Sequence, residues 1–378
     1  MKVGYFYWGF LGDRKYNANG RQVSTPDGNA FYSWSIIKGF IDAGHKVYCL
    51  TIDRDINCAK FDSKNMFSAW CERDRRFAYN CMDKSTKIMA FKPAGDTQGY
   101  VTLENMPDLD MMLIEWRWPI PGRNIDVDYG DDWQPDLVIC RSLIQYANEH
   151  NIPVVIFDLD YKMTIGDIYR NNIKYVIELG NKWSKEESVV SRRIEIPFDF
   201  LHINDFKIKR PRDAVIYIGN RYERDWCINK YLPDKSIVHG NWLESGRNSN
   251  EVWPNLKFKR RLQTADMYTA YSKCAVTPLL AKREYCKEGF VTARLIEAVF
   301  YGCLPLFIEE FGDDVIGRYV PDELKDIIVV HNKDEVRAIG EYMLKHPKER
   351  KDAIQLMREH LKFMDAKYFV NNVLELIQ

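Results

Sequence analysis

The chain has 378 residues, too many for one ordinary domain and well matched to two. Its 54 Lys+Arg and 54 Asp+Glu cancel, so no global field is available to hold a polyanion, which counts against a purely nucleic-acid-binding protein. Nine cysteines, odd in number and without a Cys-x-x-Cys pair, exclude a disulfide framework or a paired zinc site and read as reduced core thiols. No run nears the roughly 20 apolar residues of a membrane span, and the N-terminus enters an apolar strand without a leader pattern. The expectation is a monomeric cytoplasmic protein with no membrane partner.

The predicted elements alternate in type. Val3–Trp8 reads as a buried strand, and a Gly-, Asn- and Pro-rich loop follows to Asn29. Ala30–Ala43 carries apolar residues at helical spacing (Phe31, Trp34, Ile37, Phe40, Ile41), Gly44 caps it, and Lys46–Asp53 returns as a strand. Strand, helix, glycine, strand is a βαβ unit, which implies a parallel sheet. Lys64–Tyr100, rich in Arg and aromatics, reads as a surface helix and loop. Apolar runs at Met111–Trp116, Asp136–Cys140 and Val154–Phe157 read as strands, with a polar, helix-like stretch from Asp158 to Pro197 and a short strand near Lys174–Glu178. Phe198–Asp213, with Lys207, Lys209, Arg210 and Arg212, reads as a linker.

The rhythm then restarts. Strands are expected at Ala214–Ile218, Ser236–His239, Ala275–Leu280, Leu304–Ile308 and Ile327–Val330. Helices are expected at Tyr222–Tyr231, Thr264–Lys273, Val291–Tyr301 and from Lys333 to the end. Two doubly wound α/β halves with a helical tail result.

The most specific motif runs from Glu288 to Leu306. Gly289 would let backbone approach a ligand at a helix start, where free N–H groups favour a diphosphate. Glu297, deeper in the helix, can take both hydroxyls of a ribose, and Gly302 and Pro305 mark the turn into the next strand. The stretch resembles the donor-site helix of GT-B glycosyltransferases, in the form Arg294-x-x-Glu297-Ala298 followed by Gly302-x-x-Pro305. The usual pair of glutamates stands eight apart, whereas Glu288 and Glu297 stand nine apart. Ile218-Gly219-Asn220-Arg221-Tyr222-Glu223-Arg224 lies where the second half's first strand meets its helix. GT-B enzymes place a glycine there, followed by basic residues that neutralise the donor diphosphate. Arg221 is the first choice for that role and Arg224 the second, because a guanidinium meets phosphate oxygens in pairs.

Val154–Phe157 leads into Asp158-Leu159-Asp160. Alone, this pattern is open to a haloacid-dehalogenase-like phosphatase with Asp158 as nucleophile, or to a metal-binding Asp-x-Asp. Tyr161-Lys162 stand where the phosphatase motif carries Gly-Thr, and the two-domain rhythm argues against the metal reading. The strand, Asp160, and Arg170-Asn171 are similar to phage DNA α-glucosyltransferases, which decorate hydroxymethylcytosine; there an Asp on this strand is catalytic at the acceptor side, and Leu159 replaces the family's neighbouring His. That resemblance implies a GT-B fold of two Rossmann-like domains facing across a cleft. It implies a nucleotide-sugar co-substrate (a UDP-sugar), no metal or other cofactor, retention, and a duplex DNA acceptor.

The expected division is 1–205 on the acceptor side, 206–350 holding the nucleotide sugar, and 351–378 as helices packing back toward the first domain. Asp160, supported by Asp158, is the expected catalytic residue. Gly219, Arg221, Arg224, Glu288, Gly289, Arg294 and Glu297 are the expected donor contacts. Asp27 in the glycine-rich N-terminal loop, with Arg117 and Trp118 among mixed cations and aromatics, are the expected acceptor contacts.

Overall fold

The computed structural model describes residues 1–6, 14–16, 22–24, 29–52, 87–91, 106, 108–117, 135–198, 200, 206–243, 248–262 and 264–378. They form two compact units, Met1–Asp199 with Ala366–Gln378, and Phe200–Asp365.

In the first unit the strands are β1 (Lys2–Phe6), β2 (Arg14–Tyr16), β3 (Gln22–Ser24), β4 (Lys46–Ile52), β5 (Lys87–Phe91), β6 (Met111–Trp116), β7 (Val154–Asp158), β8 (Tyr175–Glu178) and β9 (Val190–Arg193). Seven of them form one parallel sheet in the order β5-β4-β1-β6-β7-β8-β9, and β2 and β3 pair as a separate antiparallel ribbon. β6 and β7 are buried along their whole length, which is why they read as unbroken apolar runs. The chain winds outward from β1 through β4 to β5, then crosses to the other side as β6. Strand order therefore reverses between β1 and β6, and the crevice outside the carboxyl ends of those strands is where open α/β sheets bind ligands.

The last helix, Ala366–Leu376, belongs to this unit. Gly39 of helix Asn29–Asp42 lies so close to it that an added Cβ would stand 3.0 Å from the Ala366 carbonyl oxygen. Phe369 meets Phe157 at 5.7 Å between ring centres, and Arg192 pairs with Glu375 at 2.8 Å.

In the second unit the strands are β10 (Asp213–Ile218), β11 (Ile237–His239), β12 (Lys257–Lys259), β13 (Cys274–Pro278), β14 (Leu304–Ile308) and β15 (Val329–Val330). They form a parallel sheet in the order β12-β11-β10-β13-β14-β15, which reverses between β10 and β13. Two arginines on helix Pro347–His360 hold this unit together. Arg350, fully buried, donates to the carbonyls of Cys274, Gly302 and Lys209. Arg358 donates to the carbonyls of Val299 and Phe300, at the end of helix Arg294–Phe300, and to that of Phe206. Burial holds both guanidiniums below their ordinary pKa, Arg358 at about 10.

Several expectations need correction. Asp136–Cys140 is not a strand: it opens helix Pro135–Glu149, whose Cys140, Leu143, Ile144 and Ala147 are buried at helical spacing. A five-residue apolar window is too short to separate the two periods. Lys87–Phe91 is β5, inside the stretch expected to be helix and loop. β9 and β12 escaped notice because both are short, polar edge strands. The unit boundary falls at Asp199/Phe200, and helix Pro347–His360 packs within the second unit, so only Ala366 onward joins the first.

Replacing Arg350 by Met should lower the unfolding free energy by about 3 kcal/mol, because three buried carbonyls lose a charged donor. Denaturant melts of the two proteins test this; equal midpoints and slopes would show that Arg350 does not hold the unit together.

Candidate donor and acceptor sites

At the carboxyl end of β10 the backbone turns at Gly219. A Cβ there would meet the Tyr217 hydroxyl at 2.4 Å and Arg294 Nε at 2.8 Å, so only glycine fits. The turn is pinned by Gly219 N–H donating to His239 O (2.9 Å) and by Trp242 Nε1 donating to Gly219 O (2.6 Å). Arg294, in the first turn of helix Arg294–Phe300, donates from Nε to Ile218 O (2.8 Å) and from Nη1 to Thr292 Oγ1 (3.2 Å). The motif helix is thereby anchored to the end of β10.

The two candidate arginines after Gly219 differ in what they already hold. Arg221 is engaged inside the protein: Nε and Nη2 donate to the two Asp225 carboxylate oxygens at 2.8 and 2.6 Å, and its guanidinium lies 4.9 Å from the Trp253 ring centre. Those bonds to Asp225 raise its pKa. Arg224 is buried (4% exposed), yet among the described residues its guanidinium hydrogen bonds run only to the Asn220 and Tyr222 carbonyls, both 3.2 Å from Nη1. Among the described residues its Nε has no hydrogen-bond partner. Burial lowers its pKa, the Tyr217 ring opposes that, and the nearby Arg294 adds to the lowering. Glu297, 7% exposed, lies one turn along from Arg294 and acts on it electrostatically. The structure thus brings Gly219, Arg224, Arg294 and Glu297 together at the strand-order reversal.

Gly289 and Glu288 serve a different element. Gly289, at φ +69°, follows the end of helix Arg283–Lys287, with its N–H donating to Cys286 O at 3.1 Å. Glu288 is that helix's C-cap. Gly289 is therefore a left-handed helix terminator, not the start of the donor helix, which begins five residues later.

In the first unit, Glu115 ends the apolar run of β6 with no exposure at all. It accepts from the Tyr5 hydroxyl on β1 and from Arg117 Nε (3.4 Å). Arg117, 6% exposed, also donates to the Tyr32 hydroxyl and stands 3.5 Å from Asp160. Lys162 Nζ lies 3.7 Å from the same Asp160 oxygen. Sequence reasoning missed Glu115 and Tyr32; the available signal was a charged residue inside an otherwise apolar strand.

Asp158 is fully buried and accepts from the Lys162 and Met163 N–H groups (3.0 and 3.3 Å), Trp183 Nε1 (2.8 Å) and Lys182 Nζ (3.4 Å). It fixes the loop that carries Asp160. Glu178, at the end of β8, accepts from Trp183 N–H at 2.9 Å. Burial pushes both carboxyls above their ordinary pKa. Asp27 and Trp118 lie outside the described residues. Among the described residues no group of three or more His, Cys, Asp or Glu side chains could hold a metal ion, and no helix is long and apolar enough to cross a membrane. Cys140, Cys227, Cys274, Cys286 and Cys303 are buried and free, and burial pushes the thiols of Cys227, Cys274 and Cys286 to about 12.

Residues 224–377 match the model of a glycosyl transferase-like family. The whole chain superposes on the β-glucosyltransferase of phage T4 in complex with UDP and Mn²⁺, at TM-score 0.62 and 15% identity over 100% of both chains. The DNA-modifying β-glucosyltransferase, crystallised with and without uridine diphosphoglucose, matches at TM-score 0.58 and 15% identity over 99% of this chain and 100% of that one. Sucrose-phosphate synthase from Thermosynechococcus elongatus matches at TM-score 0.55 and 10% identity, over 100% and 99%. No curated protein sequence matches. The chain carries a glycosyl transferase-like domain in a GT-B fold.

In this GT-B chain the raised carboxyls have a consequence for stability. Below the ordinary carboxylate range Asp158 is protonated in both folded and unfolded states. As pH rises, the unfolded chain releases that proton first, so folding loses stability until the folded-state pKa is passed. Thermal melts of wild type and Asp158→Asn between about pH 4 and about pH 7 should show the wild-type advantage shrinking as pH rises. An advantage that grows with pH would contradict the assigned direction.

Proposed function

We propose that this glycosyltransferase moves a sugar from a UDP-sugar to the hydroxymethyl oxygen of a modified pyrimidine in DNA. The observation that carries the donor half is the meeting of Arg224 and Arg294 with Glu297 at the carboxyl end of β10. The guanidinium hydrogen bonds of both arginines run to carbonyl and hydroxyl oxygens, and Glu297 answers part of the charge on Arg294, so that part of the positive charge is left for an anion. A diphosphate fits that charge, and Glu297 supplies the two acceptor oxygens a ribose diol needs. Gly219 lets the Arg294 and Tyr217 side chains close in on the end of β10.

The acceptor half rests on the resemblance of the Asp160 segment to phage DNA glucosyltransferases and on the likeness in fold to a DNA-modifying enzyme. The bond from the sugar's anomeric carbon to the diphosphate oxygen breaks and a bond to the acceptor oxygen forms. The acceptor proton passes to Asp160, and the diphosphate leaves as UDP. Arg224 and Arg294 face the growing negative charge, which is where such cations lower a barrier most; no resident metal or other cofactor is assigned. Arg221, the first choice from sequence, becomes a support for the loop through Asp225.

The α-glucosyltransferase resemblance implies retention, whereas the DNA-modifying neighbours are β-glucosyltransferases. The anomeric proton coupling of the product decides between them. A glycan or small-molecule acceptor is the second reading, favoured by the full-length match to sucrose-phosphate synthase. Hydroxymethylated duplex DNA incubated with a panel of nucleotide sugars should gain a hexose or pentose mass. Transfer to a sugar acceptor but never to DNA would sink the DNA assignment.

Glu297→Ala should lower kcat/KM for the donor by about a hundredfold or more, since two hydrogen bonds to a charged group contribute about 1.5–3 kcal/mol each; an unchanged value would remove Glu297 from the site. EDTA should leave most of the activity, and abolition by chelation would return the Asp-x-Asp metal readings.

A further inference from the structure

Arg117 was expected to touch the acceptor, but its surroundings point elsewhere. Its guanidinium is 6% exposed and is held from below by Glu115, a carboxylate with no exposure. Tyr5, on the neighbouring strand β1, donates to the other Glu115 oxygen, so the carboxylate is gripped from both strands that flank the reversal in strand order. The Tyr32 hydroxyl accepts from Nη2 of the same arginine, while Nη1 alone reaches Asp160, at 3.5 Å. Asp160 is the member nearest solvent, with a third of its side chain exposed.

We infer that Glu115, Arg117 and Tyr32 form a buried frame that positions the Asp160 carboxylate, making Arg117 a positioning residue and not an acceptor contact. This rests on the proposal that Asp160 acts on the acceptor. Three physical facts support the frame. A planar guanidinium offers donors in a fixed fork, so bonds to Glu115 and Tyr32 on one side fix the direction of Nη1 on the other. A buried pair such as Glu115–Arg117 is disrupted at high penalty when one partner goes, so the fork does not wander. Asp158 holds the same loop from within through the Lys162 and Met163 N–H groups, so Asp160 is braced both by its backbone and at its carboxylate. A misplacement of about 1 Å in a reacting group can lower a rate about a hundredfold.

The test uses the full-length enzyme and compares Arg117→Gln, Arg117→Lys, Tyr32→Phe, Asp160→Asn and the Arg117→Gln/Asp160→Asn double variant. The readouts are transfer to modified DNA, donor KM and UDP affinity. Arg117→Gln should lower kcat by about 10- to 100-fold with donor KM and UDP affinity within about twofold of wild type, and Arg117→Lys should recover part of that loss. Tyr32→Phe, which keeps the ring and removes one hydroxyl, should give a smaller loss in kcat alone. Because Arg117 acts through Asp160, the double variant should be no slower than Asp160→Asn. If Asp160→Asn is slow but Arg117→Gln keeps wild-type kcat, or if the two losses multiply, the positioning role is overturned. If Asp160→Asn itself transfers at the wild-type rate, it is the acceptor-side assignment that fails. Should Arg117→Gln not fold, Tyr32→Phe with and without Asp160→Asn gives the same comparison.

Discussion

In the proposed donor site two cations, Arg224 and Arg294, stand near the end of β10. Burial lowers the pKa of Arg224, which is all but sealed from water, and the nearby Arg294 adds to the lowering. Such a pair is unfavourable unless something negative answers it. Glu297 answers part of the charge on Arg294. The remainder would favour an anion at the carboxyl end of β10, where the Tyr217 and Arg294 side chains close in on Gly219. The rest of the second unit serves this arrangement. Arg294 fixes its helix to Ile218, and Arg350 and Arg358 seal the far ends of β13 and of that helix with their own cations.

The first unit solves the opposite problem. Its charged groups are compensated internally: Glu115 with Arg117, and Asp158 with Lys182 and Trp183. Little net attraction for an anion is left at the end of β6, and the buried groups act through shape. Asp158 and Asp160 look alike in the sequence, yet one is a fully buried acceptor of four donors and the other stands partly in solvent between two cations. A nucleophile must meet its substrate, and Asp158 is walled in by Lys162, Met163, Lys182 and Trp183. The arrangement disfavours the phosphatase reading for that reason.

Much of the fold was legible because parallel strands buried on both faces leave unbroken apolar runs, as at Val154–Phe157 and Leu304–Ile308. The edge strands were not, since Val190–Arg193 and Lys257–Lys259 have the polar composition that protects an edge. At the site, Arg294 and Glu297 were legible from their spacing on one helix. Arg221 was ranked above Arg224 because nothing in the sequence shows the difference between them, a carboxylate, Asp225, that Arg221 reaches. Gly289 was misplaced by assuming that a glycine before a helix serves that helix, when its positive φ ends the previous one. Arg117 read as an acceptor contact because its partner Glu115 is hidden inside an apolar strand.

In the proposed site Arg224 supplies charge to the nucleotide diphosphate and Arg221 does not. Calorimetric titration of UDP into the full-length protein and its single Ala variants tests it directly. Arg224→Ala should weaken UDP by at least about tenfold, the scale of one charged hydrogen bond, with Arg221→Ala the milder change. Equal UDP affinity for wild type and Arg224→Ala, or a larger loss for Arg221→Ala, would contradict the account.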